Sequence, residues 1–101
     1  MIRHIVMFQF LEEAGGKSRE ENVLATKKML EALPGKIPQI LNSQVFTNAP
    51  GANGENADLL LISDFASLET LEEYLVHPDH KAVGAFMRPL RRGRVGIDIT
   101  L

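Results

Sequence analysis

Two segments of this chain carry hydrophobic residues on both faces of a predicted β-strand, so both faces of the sheet that they form need cover. In residues 2–10 the side chains alternate between a face with His4, Val6, Phe8 and Phe10 and a face with Arg3, Ile5, Met7 and Gln9. Residues 57–65 contain the uninterrupted run Leu59 to Ile62, which is typical of a central strand buried on both sides. The sequence therefore predicts a sheet that is apolar on both faces.

The rest of the chain predicts helices on only one of these faces. Ser18 stands three residues before Glu21, which is the spacing of a capping box, and opens a helix that ends at Pro34-Gly35. A strand over residues 40–48 and a glycine-rich loop follow. Ser67 opens a second helix, which Pro78 interrupts before a third helix over residues 79–90 and a final strand over 95–101. The order βαββααβ predicts a single α+β ferredoxin-like domain over residues 1–101, with a four-stranded antiparallel sheet and helices on one face.

The uncovered face predicts how the protein assembles. A sheet with helices on one side leaves an apolar surface on the other, and soluble monomers usually avoid large surfaces of that kind. Pairing of two such sheets face to face buries both surfaces at once. We therefore expect a homodimer.

Composition narrows the functional classes. The 101 residues include no cysteine, which excludes disulfides and thiolate chemistry and fits a reducing compartment. No apolar run approaches the length of a membrane span, and a formal net charge of −2 provides no general attraction to nucleic acid or anionic lipid. We expect a cytoplasmic protein that binds small molecules or other proteins, with no nucleic-acid or membrane partner.

The three histidines are the best candidates for chemistry, since imidazole titrates near neutral pH and moves protons. Tyr74, His77 and His80 lie in one short segment around Pro78, and His80 falls in the first turn of the third helix, where it can meet Tyr74 across the kink. One interpretation makes His80 a general base beside Tyr74. The other gives the segment a structural role, with His77 capping the helix and His80 bonded to a backbone carbonyl.

His4 shares its strand face with Val6 and Phe8 and needs a polar partner in that apolar interior. Asp98 is the candidate if the last strand pairs with the first, as a ferredoxin-like order requires. Such a carboxylate can orient a catalytic histidine, or it can form a buried polar pair that fixes the strand register.

Two further clusters have more than one interpretation. His77, Asp79 and His80 are of the residue types that bind metals, but Pro78 disturbs the helical spacing that a shared metal needs, and we expect no metal site. Arg88, Arg91, Arg92 and Arg94 are predicted at a helix end, where solvated cations complement the helix dipole or, alternatively, bind an anion or a carboxylate substrate.

Several pieces of the sequence resemble the stress-responsive dimeric α/β barrel (Dabb) family over nearly the whole length. The pieces are the opening Met1 to Phe10, the pair Leu33-Pro34, the segment Tyr74 to His80, and Ile97-Asp98-Ile99. The resemblance implies a ferredoxin-like protomer whose sheet pairs with that of a second protomer to close a barrel.

The resemblance also implies site residues and an activity. A plant polyketide cyclase of this family performs an aldol condensation without metal or organic cofactor. By position, His80 matches its general base, Tyr74 the tyrosine that polarises a substrate carbonyl, His4 a histidine facing the same cavity, and Asp98 an aspartate near it. Substrate-binding positions are then Val6, Phe8, Val23, Thr26 and His77.

The first helix departs from the cyclase, because it has Asn22, Val23 and Thr26 where the cyclase has aromatic side chains. This argues against the same long-chain substrate and is compatible with another substrate or with a purely structural motif. The resulting hypothesis is a cofactor-independent cyclase or lyase-like enzyme, or a binder, acting on small carbonyl (polyketide-like) metabolites. The alternative is a noncatalytic homodimeric stress-response or interaction protein.

Overall fold

The computed structural model describes all residues from Met1 to Leu101 and contains one principal sheet with three α-helices. The elements in chain order are β1 (Ile2–Phe10), β2 (Glu13–Ala14), β3 (Lys17–Ser18), α1 (Arg19–Ala32), β4 (Asn42–Thr47), β5 (Leu59–Phe65), α2 (Leu68–Val76), α3 (Pro78–Met87) and β6 (Arg91–Thr100), with a short 3-10 turn at Leu33–Gly35. The principal sheet is antiparallel in the order β4-β5-β1-β6. The predicted α+β ferredoxin-like class is therefore confirmed.

Serine caps begin two of the helices, as the spacing predicted. Ser18 Oγ accepts a hydrogen bond from the backbone N–H of Glu21 over 3.2 Å, and the Glu21 carboxylate accepts one from the backbone N–H of Ser18 over 3.1 Å. Ser67 and Thr70 form the corresponding reciprocal pair at the start of α2, with distances of 3.2 and 3.1 Å. These bonds satisfy amides that the first helical turn leaves without partners, and they fix where α1 and α2 begin.

A small hairpin, β2 and β3, precedes α1 and was not predicted. Gly15 and Gly16 connect its strands with φ angles of 61° and 75°. Positive φ at both central residues is the geometry of a tight hairpin turn that glycine adopts without steric cost. The paired glycines were a hairpin signal, but the strands are only two residues long and show no alternation.

The hydrophobic core lies between the helices and one face of the principal sheet, which we call the inner face. The sheet contributes Val6, Phe8, Phe10, Leu59, Leu61 and Phe65, and the helices contribute Val23, Leu30, Leu71, Tyr74, Val83 and Met87. Burial of each large apolar side chain stabilises a fold by about 1.5–3 kcal/mol before entropy is subtracted. This core holds α2 and α3 against β1.

The opposite face of the sheet, which we call the outer face, has no helix on it. Cross-strand neighbours there are apolar: Ile5 pairs with Ile62 and Ile97, and Met7 pairs with Leu60 and Val95. Val95 and Ile97 remain 65% and 59% exposed. The predicted second apolar face is thus present, and the chain leaves it uncovered.

The last helix and strand differ from their predicted bounds. Helix α3 ends at Met87, where the backbone N–H of Leu90 bonds to the Met87 carbonyl, and β6 already begins at Arg91, which pairs with Phe10. The prediction of an arginine cluster at a helix end is therefore wrong for Arg91, Arg92 and Arg94, which lie on a strand. None of the three helices has the length and apolar character needed to cross a lipid bilayer.

The cap of α2 makes a testable contribution to stability. Ser67→Ala removes the oxygen that accepts from Thr70, and the free energy of unfolding should fall by about 1 kcal/mol. Urea denaturation followed by circular dichroism measures the change. Glu72→Gln, on the exposed side of the same helix, serves as the control and should change it by no more than a few tenths of a kcal/mol. Equal stability of Ser67→Ala and the parent would contradict this assignment.

Candidate functional site

A cavity of about 200 Å³ lies between the inner face of the sheet and the joint of α2 and α3. Its polar lining consists of His4, Tyr74, His80, Arg88, Arg91 and Arg94. Its apolar lining includes Val6, Phe8, Leu30, Leu61, Leu75, Val83 and Met87. Three of the four residues predicted to be catalytic therefore meet at one cavity.

The joint between α2 and α3 positions the two C-terminal histidines. His77 has extended backbone angles (φ −63°, ψ 137°), and Pro78 begins α3, since proline fits the first helical position and cannot continue the preceding helix. The His77 Nδ1 accepts a hydrogen bond from the backbone N–H of Asp79 over 3.1 Å. The same nitrogen lies 3.8 Å from the Asp79 carboxylate, but a nitrogen that accepts from an amide has no proton to share with it. His77 is thus a helix cap.

His80 turns back over the end of α2. Its Nδ1 lies 3.0 Å from the Leu75 carbonyl oxygen, and because a carbonyl only accepts, Nδ1 carries the proton. The other ring nitrogen, Nε2, makes no hydrogen bond within the chain and is free to accept one in the cavity. Burial lowers the pKa of His80 below its ordinary value; the Leu75 bond opposes this shift, while the nearby His4, Arg94 and His77 reinforce it. At neutral pH His80 is therefore a neutral base.

Tyr74 lies between the two histidines that line the cavity. Its ring centroid is 4.4 Å from that of His80 and 6.2 Å from that of His4. Burial raises the pKa of Tyr74 to about 12, so the phenol stays protonated. Its hydroxyl has no hydrogen-bond partner within the chain although the side chain lines the cavity. Tyr74 is thus a free donor at the site.

His4 forms a hydrogen bond with Asp98, as the predicted pairing of the first and last strands requires. The two residues are cross-strand partners in β1 and β6, and the His4 Nδ1 donates to the Asp98 carboxylate over 2.5 Å. The His4 side chain is only 6% exposed, whereas that of Asp98 is 40% exposed and does not line the cavity. The carboxylate fixes the tautomer of His4 with the proton on Nδ1, so Nε2 of this cavity-lining ring is a hydrogen-bond acceptor.

The predicted substrate-binding residues separate into two groups. Val6 and Phe8 line the cavity, but Val23, Thr26 and His77 do not. Thr26 is fully buried with its hydroxyl donating to the Asn22 carbonyl, and Val23 lines a separate recess beside the loop that follows β4. The structure contains no group of three or more metal-ligating side chains.

The site residues predicted from the sequence do not include the arginines at the cavity, for which anion binding was only the alternative role. Arg94 lies two residues before Gly96 and four before Asp98, so the period of two along a strand puts all three on the inner face. That alternation was the available signal. The helix predicted over residues 79–90 hides this alternation, because the observed helix ends at Met87.

The fold and the lining of this cavity define an α+β ferredoxin-like protomer with a histidine and tyrosine site on the helical side of its sheet. The profile of the stress responsive A/B barrel domain matches residues 2–101. The chain belongs to this family. No curated protein matches it in sequence.

Solved structures share the whole fold. A dimeric ferredoxin-like protein of unknown function from Bacteroides fragilis is 28% identical, with a TM-score of 0.86, and the match covers 99% of this chain and 95% of that one. A dimeric ferredoxin-like protein of unknown function from Thermobifida fusca is 27% identical, with a TM-score of 0.83 and coverage of 99% and 90%. A hydroxynitrile lyase from Passiflora edulis is 16% identical, with a TM-score of 0.75 and coverage of 99% and 92%, and shows likeness of fold alone.

The environment of His80 predicts its titration. Because the folded state lowers its pKa, an NMR titration of its ring should give a midpoint below 6.5, the ordinary value for histidine. The contribution of neutral His80 to stability is complete above 6.5 and is lost as the pH falls from there through the folded-state pKa. The parent should therefore lose stability relative to His80→Gln over that interval. A ring midpoint above 6.5 would contradict the assigned environment.

Proposed function

We propose that this protein is a cofactor-independent enzyme that removes a proton from the carbon beside a carbonyl group in small metabolites, as aldol-type cyclases and lyases do. One observation carries the proposal: the Leu75 carbonyl holds the proton of His80 on Nδ1 and leaves Nε2 unpaired, while the ring of Tyr74, whose hydroxyl has no partner, lies 4.4 Å away between centroids and lines the same cavity. A base and a hydrogen-bond donor side by side in one cavity are the two groups that enolisation needs.

In the proposed step His80 accepts the proton and Tyr74 stabilises the negative charge that forms. The Nε2 of His80 takes the proton, the carbon–hydrogen bond breaks, and its electron pair forms a carbon–carbon double bond as the carbonyl electrons move to oxygen. Tyr74 donates a hydrogen bond to the oxygen, which gains negative charge. The enolate carbon then either takes the proton back from His80 or attacks a second carbonyl carbon. In the second case the π electrons of that carbonyl move to its oxygen, which takes the proton from His80. A donor placed where charge develops stabilises the transition state more than the ground state.

His4 and Asp98 support the same site. In the tautomer that Asp98 fixes, the His4 Nε2 accepts hydrogen bonds and can orient a hydroxyl or enol of the substrate. Because the carboxylate lies outside the cavity, we assign Asp98 as a positioning residue that acts through His4. Val6 and Phe8 supply apolar surface for the carbon skeleton.

Structures with the same fold include enzymes. Besides the Passiflora protein, a structure described as an antibiotic biosynthesis monooxygenase has the same fold, with a TM-score of 0.76 at 11% identity. The fold thus accommodates enzymes, and the assignment to proton abstraction depends on His80 and Tyr74 of this chain.

We further propose that two protomers pair through their outer faces and that the protein is cytoplasmic. The exposed side chains of Ile97, Val95, Met7 and Phe46 form the surface to be covered, and the relatives from Bacteroides fragilis and Thermobifida fusca are described as dimeric. The chain has no cysteine, which suits a reducing compartment.

The second candidate is a noncatalytic homodimeric stress-response or interaction protein. The observation in its favour is that the cap formed by His77 and the bond from His80 to Leu75 both stabilise the α2–α3 joint. These bonds explain why the histidines occur there without any reaction. The free Tyr74 hydroxyl has no role in this alternative.

Deuterium exchange separates the two candidates. Small enolisable ketones, including β-diketones, are incubated with the protein in deuterated buffer, and loss of the α-proton signal is followed by NMR. His80→Gln should slow the protein-dependent exchange by roughly 100-fold, since a positioned general base contributes about that much or more. Tyr74→Phe should slow it to a smaller extent.

Lys81→Gln is the matched control, because Lys81 is exposed next to His80 and does not line the cavity. It should exchange protons as the parent does. Exchange by His80→Gln at the parental rate would eliminate His80 as the base and favour the noncatalytic candidate.

Charge placed on the outer face should separate the protomers. Ile97→Glu introduces a carboxylate that would be buried without a partner in the dimer, so its dissociation constant should rise by roughly 100-fold or more. Analytical ultracentrifugation measures the constant. Leu24→Glu is the control, since Leu24 is 62% exposed on α1, away from the sheet face. A parent protein that sediments as a monomer at high micromolar concentration would refute the dimer.

A further inference from the structure

Three arginines of the cavity lining have no acidic partner. The close contacts between a carboxylate and a basic or imidazole side chain are Arg3 with Asp64, His4 with Asp98, Lys27 with Glu31 and His77 with Asp79. None of them involves Arg88, Arg91 or Arg94. The chain has 13 acidic residues, yet no carboxylate lines this cavity. The site therefore combines a high local positive charge with an overall acidic protein.

The backbone of β6 is adapted to hold one of these guanidinium groups. Gly96 lies on the inner face opposite Val6, and a Cβ at Gly96 would stand 3.2–3.4 Å from the guanidinium atoms of Arg94. These distances are shorter than ordinary van der Waals contacts, so a larger residue at position 96 would crowd the guanidinium, and glycine leaves the space that Arg94 occupies. The guanidinium thereby lies over Gly96 at the edge of the cavity, although the Arg94 residue remains exposed.

Interaction with a helix dipole explains only one of the three. Arg88 follows α3 directly and complements the negative end of that helix. Arg91 and Arg94 belong to β6, where strand dipoles largely cancel. Their shared position at the cavity needs another explanation, and guanidinium groups are the side chains best suited to bind carboxylate and phosphate.

We propose that the cavity binds a small oxoacid whose oxoanion contacts Arg88, Arg91 and Arg94 while its carbonyl reaches Tyr74 and His80. The inference deepens the proposed function and rests on it for the carbonyl end. A volume of about 200 Å³ is below the range of typical drug-sized pockets, so the ligand is short. Carboxylate and phosphate share the required chemistry, and the experiment distinguishes them.

The arginines also suit the proposed reaction. Enolate formation gives an already anionic ligand a second negative charge, which is costly in a partly buried site. The guanidinium groups at the cavity lower that cost, because they attract the negative charge that develops on the ligand. The oxoanion additionally orients the ligand, so that one particular carbon is presented to His80.

Three matched probes test the proposal. Acetoacetate, acetonylphosphonate and acetylacetone share the group CH₃–CO–CH₂ and end in a carboxylate, a phosphonate and a neutral ketone respectively. Their dissociation constants are measured by NMR titration at low ionic strength. At least one anionic probe should bind about tenfold or more tightly than acetylacetone, and the tighter of the two anions identifies the oxoanion. Equal binding of all three probes would overturn the proposal.

Arginine variants locate the anion. Arg88→Gln and Arg94→Gln should each weaken binding of the preferred anion by about tenfold and leave acetylacetone binding unchanged. Arg92→Gln is the matched control, because Arg92 carries the same charge on the same strand but does not line the cavity. Circular dichroism verifies each fold, and the two variants are independent if one fails to fold. An equal effect of Arg92→Gln would overturn the assignment.

The two proposals fail in different ways. Anion binding that depends on Arg88 and Arg94, without proton exchange that depends on His80, would sustain the oxoacid site and reject the enzyme. Exchange of acetylacetone that depends on His80, without preference for either anion, would sustain the enzyme and reject the oxoacid ligand.

Discussion

The joint at His77-Pro78 is the constraint on which the candidate site depends. Proline cannot donate an amide to the preceding turn, so the chain leaves α2 and begins α3 at that residue. The new helix places the ring centroid of His80 4.4 Å from that of Tyr74. It also brings the His80 Nδ1 within hydrogen-bond distance of the Leu75 carbonyl oxygen. The bonds that stabilise the joint also decide which nitrogen of His80 is free. Structure and chemistry are therefore served by the same contacts, and a structural role for these histidines does not exclude a catalytic one.

The alternation of β1 divides two functions between its faces. His4, Val6 and Phe8 face the cavity, whereas Ile5 and Met7 face the bare side of the sheet. If two protomers pair there, the strand that carries His4 is also a central strand of the interface. Packing between protomers then limits the motion of the cavity floor, and a rigid floor keeps the base and donor at a fixed separation.

Much of the fold was predictable because local signals agreed with one another. The serine caps at Ser18 and Ser67, the break at Pro78 and the doubly apolar β1 and β5 each indicated the same βαββααβ order, and the pairing of His4 with Asp98 followed from that order. The positions of Val23 and Thr26 outside the cavity could not be predicted from that order, because the rotation of α1 about its axis depends on tertiary packing. The hairpin at Gly15-Gly16 is too short for a periodic signal. The placement of the arginines depended on where α3 ends, and the ends of helices are weakly specified by local sequence.

The strict two-residue alternation of the central strands has a consequence for how such a chain can vary in length. One residue inserted into β1 before His4 would turn every following side chain of that strand to the opposite side and replace the imidazole in the cavity by an aliphatic group. The length of the loop between β4 and β5 does not affect which way the strand side chains point, because the bond from the Asn48 amide to the Asp58 carbonyl joins the two ends of the loop. Lengthening a loop also adds little entropic cost. Insertions compatible with this architecture therefore belong in that connection.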